Sequence, residues 1–482
     1  MTIAGENPVA TPCNAYNVMH EHWRLIDDLR GGTLAMRKAG VQWLPKEPKE
    51  DILSYQNRLN RSILFDAYKD TCEDLSARPF SREVTLKGEL NSELLSRMYD
   101  NCDKNGTNLT QFAKECIDTL IDRGLTHILV DHPAMNTENG EPLSIAAEQE
   151  NDIRPYFVHI KPENLIGWKY YKDSNGQKIL SQIRYKEVVD VDDGVYGTKI
   201  VERIRVFTRN TWEIHEKQEK EEKYVMTESG THTFGGVPLI TCYINKTGYM
   251  QAFPVMEPLA WANLDHWHQN SDLKNAYRYL SWPILFIKGL SGEEIENEVI
   301  IGPGRKISST NPDADGKYIE HSGQSTSACR QGVMDIEERM ITLGLDPLMS
   351  RPGNQTATGQ SIDESKSQCS LQSWINALSK ALKQSYELAA KWIGEELPED
   401  FDVSIYSDFG FGVRATEDIK SLITMRQAGE ISRDTFLREV KRRALIADNI
   451  DVQEEIERID SEPPKLSYAG MYGSDDGGQE NA

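Results

Sequence analysis

The sequence predicts a mixed α+β fold, on three observations. Apolar residues recur at helical spacing through most of the first 123 residues; the period changes to two between about residues 153 and 245; helical spacing returns over the C-terminal third. At 482 residues the chain is long enough for two or three domains, or for one elongated subunit of several parts.

The N-terminal helices are marked in order. "EHWRLIDDLRGGTLAMRKAG" and "DILSYQNRLNRSILFDAYKDTCEDLSARPF" carry helical patterns, and the prolines of "LPKEPKE" separate them. In the second of these, Tyr55, Leu59, Ile63 and Leu64 fit one helical face. Phe112, Cys116, Leu120 and Ile121 form the next stripe, Gly124 suits its C-terminal cap, and "THILVD" reads as a buried strand.

"KILSQIRYKEVV", "KIVERIRVFTRNTWEIHE" and "VPLITCYIN" alternate as strands do, and "DVDDGVYG" joins the first two. The mixed charge run "EKQEKEEK" at 216–223 reads as the solvated end of a hairpin. From Pro258 to the residue before Pro283, "PLAWANLDHWHQNSDLKNAYRYLSW" predicts a helix of about 24 residues, roughly 36 Å long, since proline can open a helix and stops one. Strands are expected again in "NEVIIGPGRKISS" and "GKYIEHSG". Val333, Ile336, Met340 and Leu343 then mark a helix, and Leu371, Trp374, Ile375, Leu378, Leu382 and Trp392 mark a longer one of about 30 residues. Between these two lies "GLDPLMSRPGNQTATGQSIDESKS", with almost nothing apolar after Met349. Shorter helices follow from "ATEDIKSL" onward, with Ser432 suited to an N-cap, and the Gly-rich last twenty residues read as disordered.

Composition excludes several classes. With 38% apolar and 27% charged residues, and no run near the ~18 apolar residues a spanning helix needs, no membrane-crossing helix is expected. The N-terminus has neither a basic start nor an apolar core, so the expectation is residence in the cytosol. The seven cysteines are scattered and form no C-x-x-C pair, which points to neither a disulfide framework nor a zinc cluster. A net charge of −22 argues against tight general DNA binding, which comes from Lys and Arg displacing counterions from phosphates.

Motifs for catalysis are missing. "GPGRKISS" has Arg305 where a phosphate loop needs Gly next to Lys, and "GGTLAMRKAG" lacks Gly-Lys altogether. "NPDADGKYIEHS" follows a calcium loop through Gly316 but ends in Ser322 instead of a bidentate Glu, so it reads as a turn. His266 and His268, two apart on a helix, point about 200° from each other; Asp265, His268 and Asp272 share a face that reads as a polar stripe. Neither G-x-S-x-G nor H-E-x-x-H occurs. No cofactor and no metal are expected, and the chain is not expected to be an enzyme.

Six segments, in order, carry a resemblance: "LRGGTLAMRKAGVQWLPKEPKEDILSYQNRLNRSILF", "FAKECIDTLIDRGLTHILVDHP", "IRPYFVHIKPENLIGW", "PLAWANLDHWHQNSDLKNAYRYLSWPILFIKG", "MDIEERMITLGLDPLM" and "AGEISRDTFLREVKR". Over about residues 23–445 the chain resembles the portal proteins of tailed bacteriophages. The resemblance implies a portal-like subunit with an α/β wing, a helical stem, a β-rich clip and a mainly helical C-terminal crown. Twelve copies would form a ring at one capsid vertex, through which double-stranded DNA is packaged and ejected. The implied partners are further copies of the chain, the terminase motor, the major capsid protein and head-tail adaptor proteins, with no membrane. The location would be the virion, and the host cytoplasm during assembly.

On that pattern residues 1–111 belong to the wing, 112–132 hold the first stem helix and following strand, and 133–250 hold the β-rich segment with the clip. Residues 251–282 are the second stem helix, 283–345 wing strands and helix, 346–361 a tunnel loop around the DNA, 362–394 the long wing helix, 395–461 the crown and 462–482 a disordered tail. In the tunnel loop Gly353 and Gly359 permit bending, and Asn354, Gln355, Thr356 and Thr358 offer hydrogen bonds without fixed charge. Arg351, Lys274 and Arg278 are candidate positive points against phosphate, and an otherwise acidic channel would repel DNA at short range. Two other classes stay open: a nucleic-acid-processing enzyme with a dispersed site, and a head-tail adaptor or minor capsid protein, against which the length counts.

Overall fold

The computed structural model describes residues 9–133, 152–218, 223–281, 284–288, 311–313, 315–319, 324–344, 357–407, 415–442, 446 and 450–461. It is a mixed α+β fold with antiparallel sheets, divided into two units at Ser407/Asp408.

The first unit opens with helices α1 (Asn14–Arg30), α2 (Gly32–Ala39), α3 (Ile52–Arg61) and α4 (Ala67–Ala77). Strand β1 (Thr85–Lys87) and helix α5 (Glu93–Asp100) lead to α6 (Leu109–Arg123) and β2 (Leu125–Asp131). Asn108 caps α6 by accepting the Gln111 N–H at 2.8 Å. Gly124 ends it at φ +79° and donates to the Leu120 carbonyl. A Cβ there would sit 2.2 Å from the Phe253 carbonyl oxygen, so both conformation and space require glycine.

Every residue of β2 is buried, because it is the middle strand of a three-stranded sheet between β3 (Tyr156–Ile160) and β9 (Leu239–Tyr243), with Leu129 opposite Val158 and Leu239. A five-stranded meander runs β4 (Leu165–Lys172), β5 (Lys178–Asp193), β6 (Gly197–Thr208), β7 (Thr211–Lys217) and β8 (Tyr224–Thr231). Strand alternation divides its apolar residues between two cores. Ile183, Tyr185 and Phe207 join Leu129 and Ile160, whereas Ile204 and Val206 join Tyr16, Met19 and Trp23 of α1.

The pair β10 (Lys246–Gly248) and β11 (Gln251–Ala252) precedes α7 (Glu257–Leu280), which is followed by the hairpin partners β12 (Ile284–Lys288) and β13 (Asp315–Ile319). Helices α8 (Gln324–Leu343) and α9 (Ala357–Ile393) and strand β14 (Asp402–Ser404) complete the unit, β14 pairing antiparallel with β1. The second unit contains α10 (Ala415–Gln427), α11 (Arg433–Arg442) and α12 (Val452–Ser461), and Ser432 does cap α11 by accepting the Thr435 N–H at 3.1 Å.

Three expectations change. Ile63 is 54% exposed, because α3 stops at Arg61 and the chain turns extended at Ser62; the buried pair on that helix is Tyr55 and Arg58. Helix α9 begins at Ala357, so residues 357–361, assigned to the tunnel loop, are helical. Residues 395–407, assigned to the crown, belong to the first unit, since Phe401, Val403 and Ile405 are buried there and β14 is held by β1. The segments "GPGRKISS" and "NEVIIGPGRKISS" and the C-terminal tail lie outside the described residues.

Candidate functional site

Helix α7 is continuous for 24 residues and is joined to its neighbours by polar side chains along its length. Near its start, Glu257 Oε1 lies 2.7 Å from His22 Nδ1 of α1. Nearly two turns on, the fully buried Asn263 accepts the Tyr68 N–H at 2.9 Å and donates to the Phe65 carbonyl at 2.8 Å. This one amide thus satisfies two backbone groups at the entrance to α4, which would be costly to leave unpaired.

His266 and His268 diverge as their spacing predicts. His266 Nε2 is 3.2 Å from Glu337 of α8 and its ring rests against Phe65. His268 donates from Nε2 to the Trp43 carbonyl at 2.6 Å; the acceptor fixes that tautomer. The Ser271 and Ser62 hydroxyls are 2.8 Å apart. The Asp265, His268 and Asp272 stripe is therefore a set of separate contacts, and among the described residues no group of three or more His, Cys, Asp or Glu could hold a metal ion.

Beyond these contacts α7 borders a polar cleft of about 330 Å³, lined by Glu47, Glu50, Ser54, Arg58, Asp272 and Arg278 among others. Arg58 donates from Nε and Nη2 to both oxygens of Glu50, at 2.9 and 2.8 Å, and from Nη2 to the Pro45 carbonyl. Its Nη1 lies 3.9 Å from Asp272. Hydrogen bonding from Arg58 holds the Glu50 carboxyl below its ordinary value, whereas burial raises that of Asp272. With its donors so engaged, Arg58 braces α3 against α7 and is not free to take a phosphate.

Lys274 and Arg278 stand one helical turn apart on α7 and are both exposed. Arg351, Asn354, Gln355 and Thr356 lie outside the described residues, and Thr358 falls in the first turn of α9. Of these candidates only Lys274 and Arg278 have side chains among the described residues.

Sequence reasoning did not find the Arg58–Glu50 brace or the Asn263 clamp. Neither has a signature: Asn263 meets backbone nearly 200 residues away, and Arg58 reaches Glu50, eight residues back, across the start of α3 at a spacing no helix sets. It also missed a partly buried ion cluster in which Arg30 meets Asp122 at 2.9 Å and Asp118 at 3.1 Å, with the Tyr68 hydroxyl donating to Asp122.

Residues 255–393, from just before α7 to the end of α9, match a family model described as a domain of unknown function, DUF4055. No curated protein matches the chain. Among solved structures, a chain described as "Virion of native gene transfer agent (GTA) particle" is similar at 12% identity and TM-score 0.42, covering 84% of this chain and 91% of that one. A chain of the "Neck of native GTA particle computed with C12 symmetry" is similar at 12% identity and TM-score 0.42, over 84% of this chain and 97% of its own. A chain of the "Neck of empty GTA particle computed with C6 symmetry" is similar at 11% identity and TM-score 0.43, over 80% and 92%.

Proposed function

We propose that this chain is a portal subunit: one member of a ring that conducts double-stranded DNA into and out of a capsid and provides a platform for the terminase motor and tail components. It performs no catalysis of its own. The observation that carries the reading is the order of parts around α7. A long helix, clamped on one side, presents the exposed Lys274 and Arg278; a polar segment, 350–356, with Arg351 as its single charge, then stands between α8 and α9.

In this reading α6 and α7 are the stem helices, the β4–β8 meander supplies the clip, β12, β13, α8 and α9 belong to the wing, and the second unit is the crown. Arg351, Asn354, Gln355 and Thr356 with the α7 cations give sparse contacts to phosphate, while the excess of carboxylates keeps DNA from adhering. Contacts that are few and salt-screened let a polymer slide. The subunit would sit at a virion vertex after assembly in the host cytoplasm.

The test is light scattering on the purified chain followed by negative-stain imaging, repeated with residues 350–356 excised. Rings with a central hole are expected in both cases, with DNA packaging or retention lost in the excised form. Particles without a hole would overturn the reading.

A further inference from the structure

Helix α3 belongs to a strap that is fixed at both ends and lightly held between them. Leu44 and Leu64 are buried and anchor the ends. The Trp43 carbonyl and the Ser62 hydroxyl tie the same two points to His268 and Ser271 of α7. From 45 to 61 only Tyr55 and Arg58 are buried, with Glu50 and Leu59 half-buried. Over a similar length α4 buries Tyr68, Cys72 and Leu75, and α6 buries Phe112, Cys116, Ile117, Leu120 and Ile121.

Neither buried residue of the strap fastens it firmly to what lies beneath. Arg58 directs its short hydrogen bonds to Glu50 and the Pro45 carbonyl, which lie in the strap and travel with it. Among the described residues its ion pair to α7 is the 3.9 Å approach to Asp272, whose side chain is 74% exposed. A pair so long and so well hydrated holds little. The Tyr55 hydroxyl is buried and meets no hydrogen-bond partner among the described residues. Seating the strap thus leaves a polar group unsatisfied, and opening returns it to water.

The cleft of about 330 Å³ lies between these two parts, since its lining residues all come from the strap, between 47 and 58, or from α7, between 272 and 278. We propose that residues 45–61 are a lid on α7, which opens between its anchors at Leu44 and Ser62 while the rest of the first unit stays folded. Opening turns the cleft into an open face of α7, on which the half-buried Asn275 joins the exposed Lys274 and Arg278. Local opening of this kind is drawn from segments with few buried apolar contacts, and the strap is such a segment set directly over the cations of α7. The inference uses nothing of the portal reading, and imaging that overturned the ring would leave the lid standing.

The test is native-state hydrogen exchange of the full chain in low concentrations of urea. The expected result is that amides from Tyr55 to Arg61 are protected, yet exchange at least tenfold faster than those of α4 and α6, with a shallower dependence on urea, as a small opening exposes little surface. Tyr55→Phe, which keeps the ring and removes the unpartnered hydroxyl, should slow exchange in α3 several-fold. Protection and urea dependence in α3 equal to those of α4 and α6 would overturn the lid, because the strap would then open only with the whole unit. Amides in α3 without any protection would overturn it as well, because no seated state would exist. Equal or faster α3 exchange in Tyr55→Phe would overturn the loosening of the seat by that hydroxyl.

Discussion

The two longest helices of the first unit are held by different means. Helix α9 buries Leu371, Trp374, Ile375, Leu378, Leu382 and Tyr386, and it packs against the sheet formed by β2 and β9 and against α6. Tyr386 sits edge-on to Phe157, at 5.4 Å, and Trp392 adds a hydrogen bond to the Val130 carbonyl. Helix α7 buries Leu259, Leu264 and Trp267 too, but it carries in addition the directed contacts of Asn263, His266, His268 and Ser271. Apolar burial is non-directional and scales with area, so it secures α9 without fixing every detail of its pose. Hydrogen bonds work only over narrow ranges of distance and angle, so they set the rotation and height of α7 and hence where Lys274 and Arg278 stand.

If that contrast is right, substitutions in α9 should cost the most stability. Leu378 is fully buried, and Leu378→Asp would place a charge in the core at a cost of several kcal/mol, against about 2–5 kcal/mol for Leu378→Ala. Thermal melting of the two variants reads this directly, and an unchanged midpoint for Leu378→Asp would remove α9 as the anchor.

The sheet beneath α9 should also give that region its own pH response. Burial, and then the neighbouring His159, push His127 down from 6.5 to about 3; burial, and then Lys161, push His159 down to about 4. Both are neutral in the fold, while the unfolded chain takes up protons below about 6.5. Their contribution is therefore intact above that pH and is lost as pH falls towards 4 and 3. His127→Gln, which can still meet the Thr241 hydroxyl that His127 Nδ1 contacts at 3.0 Å, should flatten the melting curve across this window. The Glu50–Arg58 pair beside α7 is expected to persist to lower pH, because the depressed Glu50 is protonated only below its ordinary value of 4.5. Identical acid profiles for wild type and His127→Gln would break this side of the comparison.

The smallest effect belongs to Asn263→Ala, which leaves the Tyr68 N–H and Phe65 C=O without partners and should cost about 1–3 kcal/mol. Hydrogen exchange should show the Tyr68 amide opening more readily, with the sheet under α9 unchanged. A uniform loss of protection would mean that α7 is not positioned separately from the rest.

What could be read from the sequence was local. The stripe from Phe112 to Ile121, the cap at Gly124, the alternation of β5 and β6, the 24-residue α7 and the Ser432 cap all follow from spacing and residue type, which act over a few residues. The α9 face was legible for the same reason, its apolar residues repeating over many turns. The start of α9 was misplaced by five residues, because Thr358, Gly359 and Gln360 suit a loop as readily as a first helical turn. Ile63 was placed on a helical face it does not belong to, because periodicity cannot report that α3 ends at Arg61.

Tertiary structure alone decided the pairings between distant segments: Arg58 with Asp272, Asn263 with the backbone at Phe65 and Tyr68, and β14 with β1. It also decided that β5 and β6 go on pairing with each other, to Asp193 and Gly197, beyond the rest of their sheet. The length of β5 is written in β5, but the point where support ends is set by where β4 and β7 stop, and no one segment contains that comparison. Secondary structure is fixed largely by short-range sterics and patterning, whereas which side chains meet depends on how the whole chain closes on itself.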